Sequence, residues 1–135
     1  MKSIQELETG LRELSGKTFV SLSFYDKVKE QDFQDEAYYM IGNDYEAEIG
    51  VKKSNGEVYS LLEDDIVFMN SSLTMLIHFM EIFSKIIDFD GDYVESKRKR
   101  DTREISRQFK TIDRKAVKEG AWWAFILEQT EDGLL

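Results

Sequence analysis

His78 is the lone histidine of the chain, and Ser71 and Ser72 lie close before it, so a hydroxyl nucleophile with an imidazole base is the first chemistry to consider. The two serines stand where a strand hands over to a helix, however, and their oxygens suit the cap of that helix. A histidine alone among apolar neighbours is then a helix-surface or satisfied residue. "DFDGD" puts Asp88, Asp90 and Asp92 at the first, third and fifth places of a calcium loop. That loop needs glycine at the sixth place and a bidentate acid at the twelfth, where this chain has Tyr93 and Lys99. A helix-terminating acidic turn is the better description. With 33% of residues charged, carboxylate pairs such as Asp64-Asp65, Asp35-Glu36 and Glu131-Asp132 arise from abundance and do not single out an acid–base couple. No glycine loop for phosphate is present. No cofactor and no metal site are expected, and nothing argues positively for an enzyme.

The charge distribution is more informative. The formal net charge is −9, yet Lys97 to Lys118 contains ten basic and three acidic residues, leaving −16 on the rest. "KRKR", followed by Arg103, Arg107 and Lys110, could neutralise several phosphates. It lacks interleaved aromatics, and the acidic remainder would repel nucleic acid, so a solvated helix face or an internal partner for the acidic body is favoured. An acidic body steers basic proteins towards it, or serves solubility alone. There is no cysteine, hence no disulfide framework and no thiolate site, which fits a cytoplasmic address. The start has no apolar signal region. Leu73 to Ile87 is broken by His78, Glu81 and Lys85 and is too short for a bilayer core of roughly 30 Å.

Hydrophobic spacing supplies the elements. Ile4, Leu7, Leu11 and Leu14 form one helical stripe ending near Gly16. "VSLSF" alternates as a strand, "KEQDFQDE" reads as a loop or short helix anchored by Phe33, and "YYMIG" is a strand followed by turn residues Asn43 and Asp44. Tyr45, Ala47, Ile49 and Val51 share a buried face, opposite Glu46 and Glu48. Asn55-Gly56 predicts a two-residue hairpin loop pairing Ser54 with Glu57, Val51 with Ser60 and Ile49 with Leu62. A turn at Glu63-Asp64 leads to a strand over Ile66 to Met69, for a meander of at least three strands. After the "NSS" cap, Leu73, Leu76, Ile77, Met80, Phe83 and Ile87 form a core helix. Ile105, Phe109 and Ile112 give a helix over about Ser96 to Thr111 that docks by one face. "AWWAFILEQ" is apolar all round; a short helix with Trp123 and Leu127 inward is preferred, with a strand as the alternative.

The run "YYMIGNDYEAEIGVKKSNGEVYSLLEDDIVFMNSSLTMLIHFMEIF" resembles the SUKH superfamily of bacterial immunity proteins, relatives of the fungal cell-wall-synthesis regulators. Gly42, then Ile49 and Val51, then Asn55 to Tyr59, then Asn70 to Leu73, and finally Phe79 to Phe83 follow that family's order, and "WWAFILEQTEDGLL" is similar to its Trp-containing end. The chain departs from the pattern in having no proline and in its basic segment. The resemblance implies one domain over residues 1–135 with an α+β fold: a mostly antiparallel sheet with helices chiefly on one side. It also implies binding and neutralisation of a cognate toxin, often a nuclease.

A basic toxin would be met by acids expected at the surface: Asp32, Asp35, Glu36, Glu46, Glu48, Glu63, Asp64 and Asp65. A regulatory interaction module within its own cell, and a nucleic-acid binder using residues 97–118, are the alternatives. Membrane binding is not expected.

Overall fold

The computed structural model describes residues 4–12, 14, 18–87 and 94–134. Helix α1 (Ile4–Leu11) precedes strands β1 (Thr18–Phe19), β2 (Leu22–Phe33), β3 (Glu36–Asp44), β4 (Ala47–Lys52), β5 (Val58–Leu62) and β6 (Asp65–Asn70). Helices α2 (Leu73–Ile86), α3 (Glu95–Ile112) and α4 (Trp122–Glu131) follow, with one 3₁₀ turn at Arg114–Val117. The strands pair antiparallel in sequence order, a six-stranded meander, and the class is α+β. Each strand follows its predecessor through a short connection, which is why no crossover occurs.

Alternation along the strands divides the sheet into two faces. Leu22, Phe24, Tyr39, Ile41, Ile49, Val51, Val58 and Met69 face the helices and join the main core. Tyr38, Met40 and Leu61 face the other way, forming a small second cluster with Tyr25, Phe33 and Tyr59. The helical layer brings Leu76, Phe79, Phe83, Ile105, Phe109 and Trp123 onto the first face. Trp123 is fully enclosed, with Phe79 and Phe109 edge-on to it at 5.5 and 5.1 Å and stacked on each other at 3.7 Å. Ser72 caps α2 by accepting from the Met75 N–H at 3.2 Å, and α3 buries Thr102, Ile105 and Phe109 while its other faces stay wet. The expected helices at both places are present, as is the helix over "AWWAFILEQ".

Three expectations need correction. "KEQDFQDE" is not a loop or helix: β2 runs through Phe33, and Gln34-Asp35, both at positive φ (49° and 65°), close a hairpin onto Glu36. Side chains here are almost all exposed, so the strand carries no hydrophobic period to reveal it. Asn43 and Asp44 belong to β3, and the turn falls one step later, at Tyr45 (φ 55°), whose ring is 83% exposed rather than buried beside Ala47. At the Asn55-Gly56 hairpin, Val51 pairs with Val58 and Ile49 with Ser60, two residues from the predicted register. The loop is longer: Lys52 N–H donates to the Glu57 carbonyl and Gly56 N–H to the Lys52 carbonyl. A slip of two preserves the faces, so the pattern could not distinguish the two registers. Gly16 and the "DFDGD" turn lie outside the described residues.

A large irregularity shapes β2. Phe24 pairs with Gly42 and Lys29 with Met40, so Tyr25 to Val28 bulge opposite Ile41. The bulge releases the Val28 N–H from the ladder, and the Glu8 carboxylate of α1 accepts it at 2.9 Å. Leu7 and Leu11 then seal the core beside it. Two glycines permit the bend. A Cβ on Gly42 would lie 2.2 Å from the Ser23 carbonyl oxygen, and one on Gly50 would lie 2.9 Å from Leu61 and 3.0 Å from Tyr38. Gly50 thus leaves the space in which the second cluster packs.

Candidate functional site

The junction after β6 is fastened by a buried polar chain. The Trp123 indole N–H donates to Asn70 Oδ1 at 2.8 Å, and Asn70 Nδ2 donates to Asp113 Oδ2 at 3.2 Å. Ser71 adds two bonds to the same carboxylate, from its backbone N–H and its hydroxyl, both at 2.8 Å. Asn70 and Asp113 are buried. "NSS" therefore divides its labour: Ser72 caps α2, whereas Asn70 and Ser71 hold the end of α3 and the start of α4 against the sheet. His78 is exposed on α2, and both serines are committed to these structural bonds.

The acids singled out in the sequence fall into three groups. Gln34 Nε2 donates to the Glu63 carbonyl at 2.7 Å, which ties the β2–β3 tip to the β5–β6 turn. The tip therefore leans over the outer face, with Phe33 in the second cluster beside Leu61. Asp35 and Glu36 are thereby brought towards Glu63, Asp64 and Asp65, all exposed. Glu46 occupies the β3–β4 turn; the register places this turn and the β5–β6 turn at the same end of the sheet. The remaining two are set apart. Glu48 is half-buried on the outer face and accepts the Tyr25 hydroxyl at 2.8 Å, while Asp32 acts on Lys53 across the hairpin. Glu36 also reaches Lys52 at 3.9 Å, a loose pair that leaves its carboxylate open to water.

Arg100, Arg103, Arg107 and Lys110 recur along one face of α3, and all are exposed. Arg107 clasps Glu104 with two nitrogens; together with Gln108, this holds the Glu104 carboxyl down at about 2. Lys99 pairs with Glu95. Besides Asp113, Lys115 ties this segment to the sheet: its ammonium sits 2.7 Å from Glu57 and over the Phe68 ring. Burial alone would raise the Glu57 pKa, but hydrogen bonds from Lys115, Tyr59 and Asn55 outweigh it and the net shift is downward. The segment is thus chiefly a solvated face.

A cleft of about 630 Å³ opens where α4 meets the turn end of the sheet, between Val20, Asp44, Tyr45, Trp122 and Phe125. Trp122 Nε1 donates to Asp44 Oδ2 at 2.9 Å, which fixes the indole as its wall.

A family model described as SUKH-4 immunity protein matches residues 12–129. The chain belongs to the SUKH-4 immunity protein family. No curated protein and no solved structure matched. The residues that carried the resemblance run through this SUKH-4 chain from β3 to α2, and they are mostly scaffold: Gly42 admits the Ser23 carbonyl, and Asn70 to Ser72 form the buried junction. Among the described residues, no group of three or more metal-ligating side chains lies together, and no helix is long and apolar enough to cross a membrane. The cleft at Trp122 and Phe125 was missed from sequence because its walls come from distant segments. The all-round apolarity of "AWWAFILEQ" was its signal: one stripe buries Trp123 and Leu127, leaving apolar residues over for another face.

Proposed function

We propose that this chain is an immunity protein that occludes the working surface of a basic toxin, of the nuclease type, with its acidic turn end. The family match over residues 12–129 carries the proposal, since immunity proteins of this kind imply a cognate toxin. Supporting it is the gathering of Asp35, Glu36, Glu63, Asp64 and Asp65 by the Gln34–Glu63 bond, with Glu46 at the same end. Carboxylates held there resemble the spaced negative charges of a phosphate backbone, which a nuclease site is built to accept. The chain acts in the cytoplasm, as one domain, by binding rather than by turnover.

The test pairs this protein with the product of the adjacent gene. That product should be lethal alone and tolerated when both are expressed. Reversing Asp35, Glu36, Glu63 and Asp64 to lysine should slow association at low salt and abolish protection; protection and rate both unchanged would sink the surface assignment. The exposed Arg100, Arg103, Arg107 and Lys110 favour a second function, contact with nucleic acid. A salt-sensitive mobility shift of labelled DNA or RNA, lost when these four become glutamine, would support it over toxin binding.

A further inference from the structure

The turn end carries more than charge. Tyr45, Phe125 and Leu134 are 83%, 57% and 70% exposed, and all three line the cleft beside Trp122. A second hollow of about 430 Å³ shares Asp44, Trp122 and Phe125 with it and continues past Val67 to Glu119 and Glu128. Large exposed apolar side chains gathered around a concave site are the usual anchor of a protein interface, and aromatic residues dominate such anchors energetically.

Two further observations bear on the occupant. The charged residues lining the two hollows, Asp44, Glu119 and Glu128, are all acidic. Val20 and Tyr45, on two different turns, both line the cleft at positive φ, 53° and 55°. For a β-branched valine this conformation is strained by about 1–3 kcal/mol, a cost that concentrates at functional surfaces. The cleft also adjoins the proposed acidic surface, because Leu22 pairs with Asp44, Asp44 with Ala47, and Glu48 with Leu61, which sets the Val20, Tyr45 and Glu63 turns at one end.

We infer that this cleft is the apolar anchor site for the toxin: it takes an aromatic or aliphatic side chain flanked by Lys or Arg, with the acidic turns surrounding it. This rests on the immunity reading and specifies where its binding energy lies. An apolar anchor and a charged surround divide the kinetics. Desolvated contacts govern how long the complex lasts, and exposed charges govern how fast it forms.

The experiment measures binding of the inactivated toxin domain from the adjacent gene to full-length wild type, Phe125→Ala, Tyr45→Ala, and the double charge variant Glu119→Lys/Glu128→Lys. Phe125 and Tyr45 are exposed, so their truncation should leave the melting temperature unchanged, which is checked first. Each alanine variant should weaken binding by about tenfold or more, chiefly through faster dissociation and at both low and high salt. The charge variant should slow association, and only at low salt. If wild type binds tightly and both alanine variants stay within about twofold of it, the anchor site is overturned while the immunity reading stands. If the alanine variants instead abolish self-association seen by light scattering, with toxin binding unchanged, the occupant is a second copy of this chain and the inference also fails. No binding by wild type overturns both.

Discussion

Asp113 shows how much one buried carboxylate can organise. It accepts from Asn70 Nδ2, the Ser71 N–H and the Ser71 hydroxyl, and through Asn70 it fixes the edge of Trp123. A buried donor stripped of its partner costs about 1–3 kcal/mol. Asp113→Ala strands one buried donor and two half-buried ones, so urea unfolding should show a loss of about 1–3 kcal/mol; a change below about 0.5 kcal/mol, the range of surface substitutions, would mean that water replaces the carboxylate without penalty. Tyr59 offers a pH test. Burial, reinforced by the hydrogen bond and charge of Glu57, raises its phenol from 10.0 to about 12. The fold therefore prefers the neutral phenol. Its contribution is fully present below pH 10.0 and is lost as pH rises towards about 12. Tyr59→Phe should flatten stability across that window, and phenolate absorbance should show one late-titrating tyrosine disappear. Tyr25 and Tyr38 are also raised, first by burial, so part of the alkaline dependence should persist.

Among the elements, legibility followed burial. α2 and α3 were readable because each buries one regular stripe against a neighbour, the body of β3 because it is a compact apolar run buried on both faces, and the β5–β6 turn because an exposed acidic pair separates two apolar strands. The tip of β2 was not, because Lys29 to Asp32 are exposed and a strand with two wet faces has no period. The four-residue bulge was equally hidden, since its partner, Glu8 on α1, is remote in sequence. Its role is testable. Glu8→Ala leaves the Val28 N–H with water alone, so hydrogen exchange at that amide should accelerate, along with exchange in α1, while the β4–β5 amides keep their protection. Equal acceleration throughout would show that α1 is not a separable lid but part of the global unfolding unit. The acids of the candidate site were individually visible as charges, whereas their grouping depended on the tip's bend and so on Gly50, whose missing side chain is filled by Tyr38 and Leu61.

At the scale of the molecule, charge gathers in local clusters: α3 carries the exposed basic stripe, the acidic turns meet at one end of the sheet, and Glu119 and Glu128 add acids beside them. Ties such as Lys115–Glu57 join the basic segment to the acidic sheet. Raising ionic strength from low to physiological should therefore slow toxin association by about tenfold or more and leave the unfolding midpoint nearly unchanged, because surface pairs contribute little to stability. A midpoint that falls in parallel with the rate would mean that the clustered charges hold the fold together.

The β2–β3 tip is secured beyond the sheet by Phe33, by an amide-to-carbonyl bond from Gln34 and by the loose surface pair of Glu36 with Lys52. Substitutions among Asp32, Gln34, Asp35 and Glu36 consequently touch almost none of the interior that decides whether the chain folds. The finger can therefore be rewritten with the supporting architecture left undisturbed. Grafting a foreign tip of equal length should redirect partner choice at constant melting temperature, and a graft that unfolds the protein would show that the finger is structural.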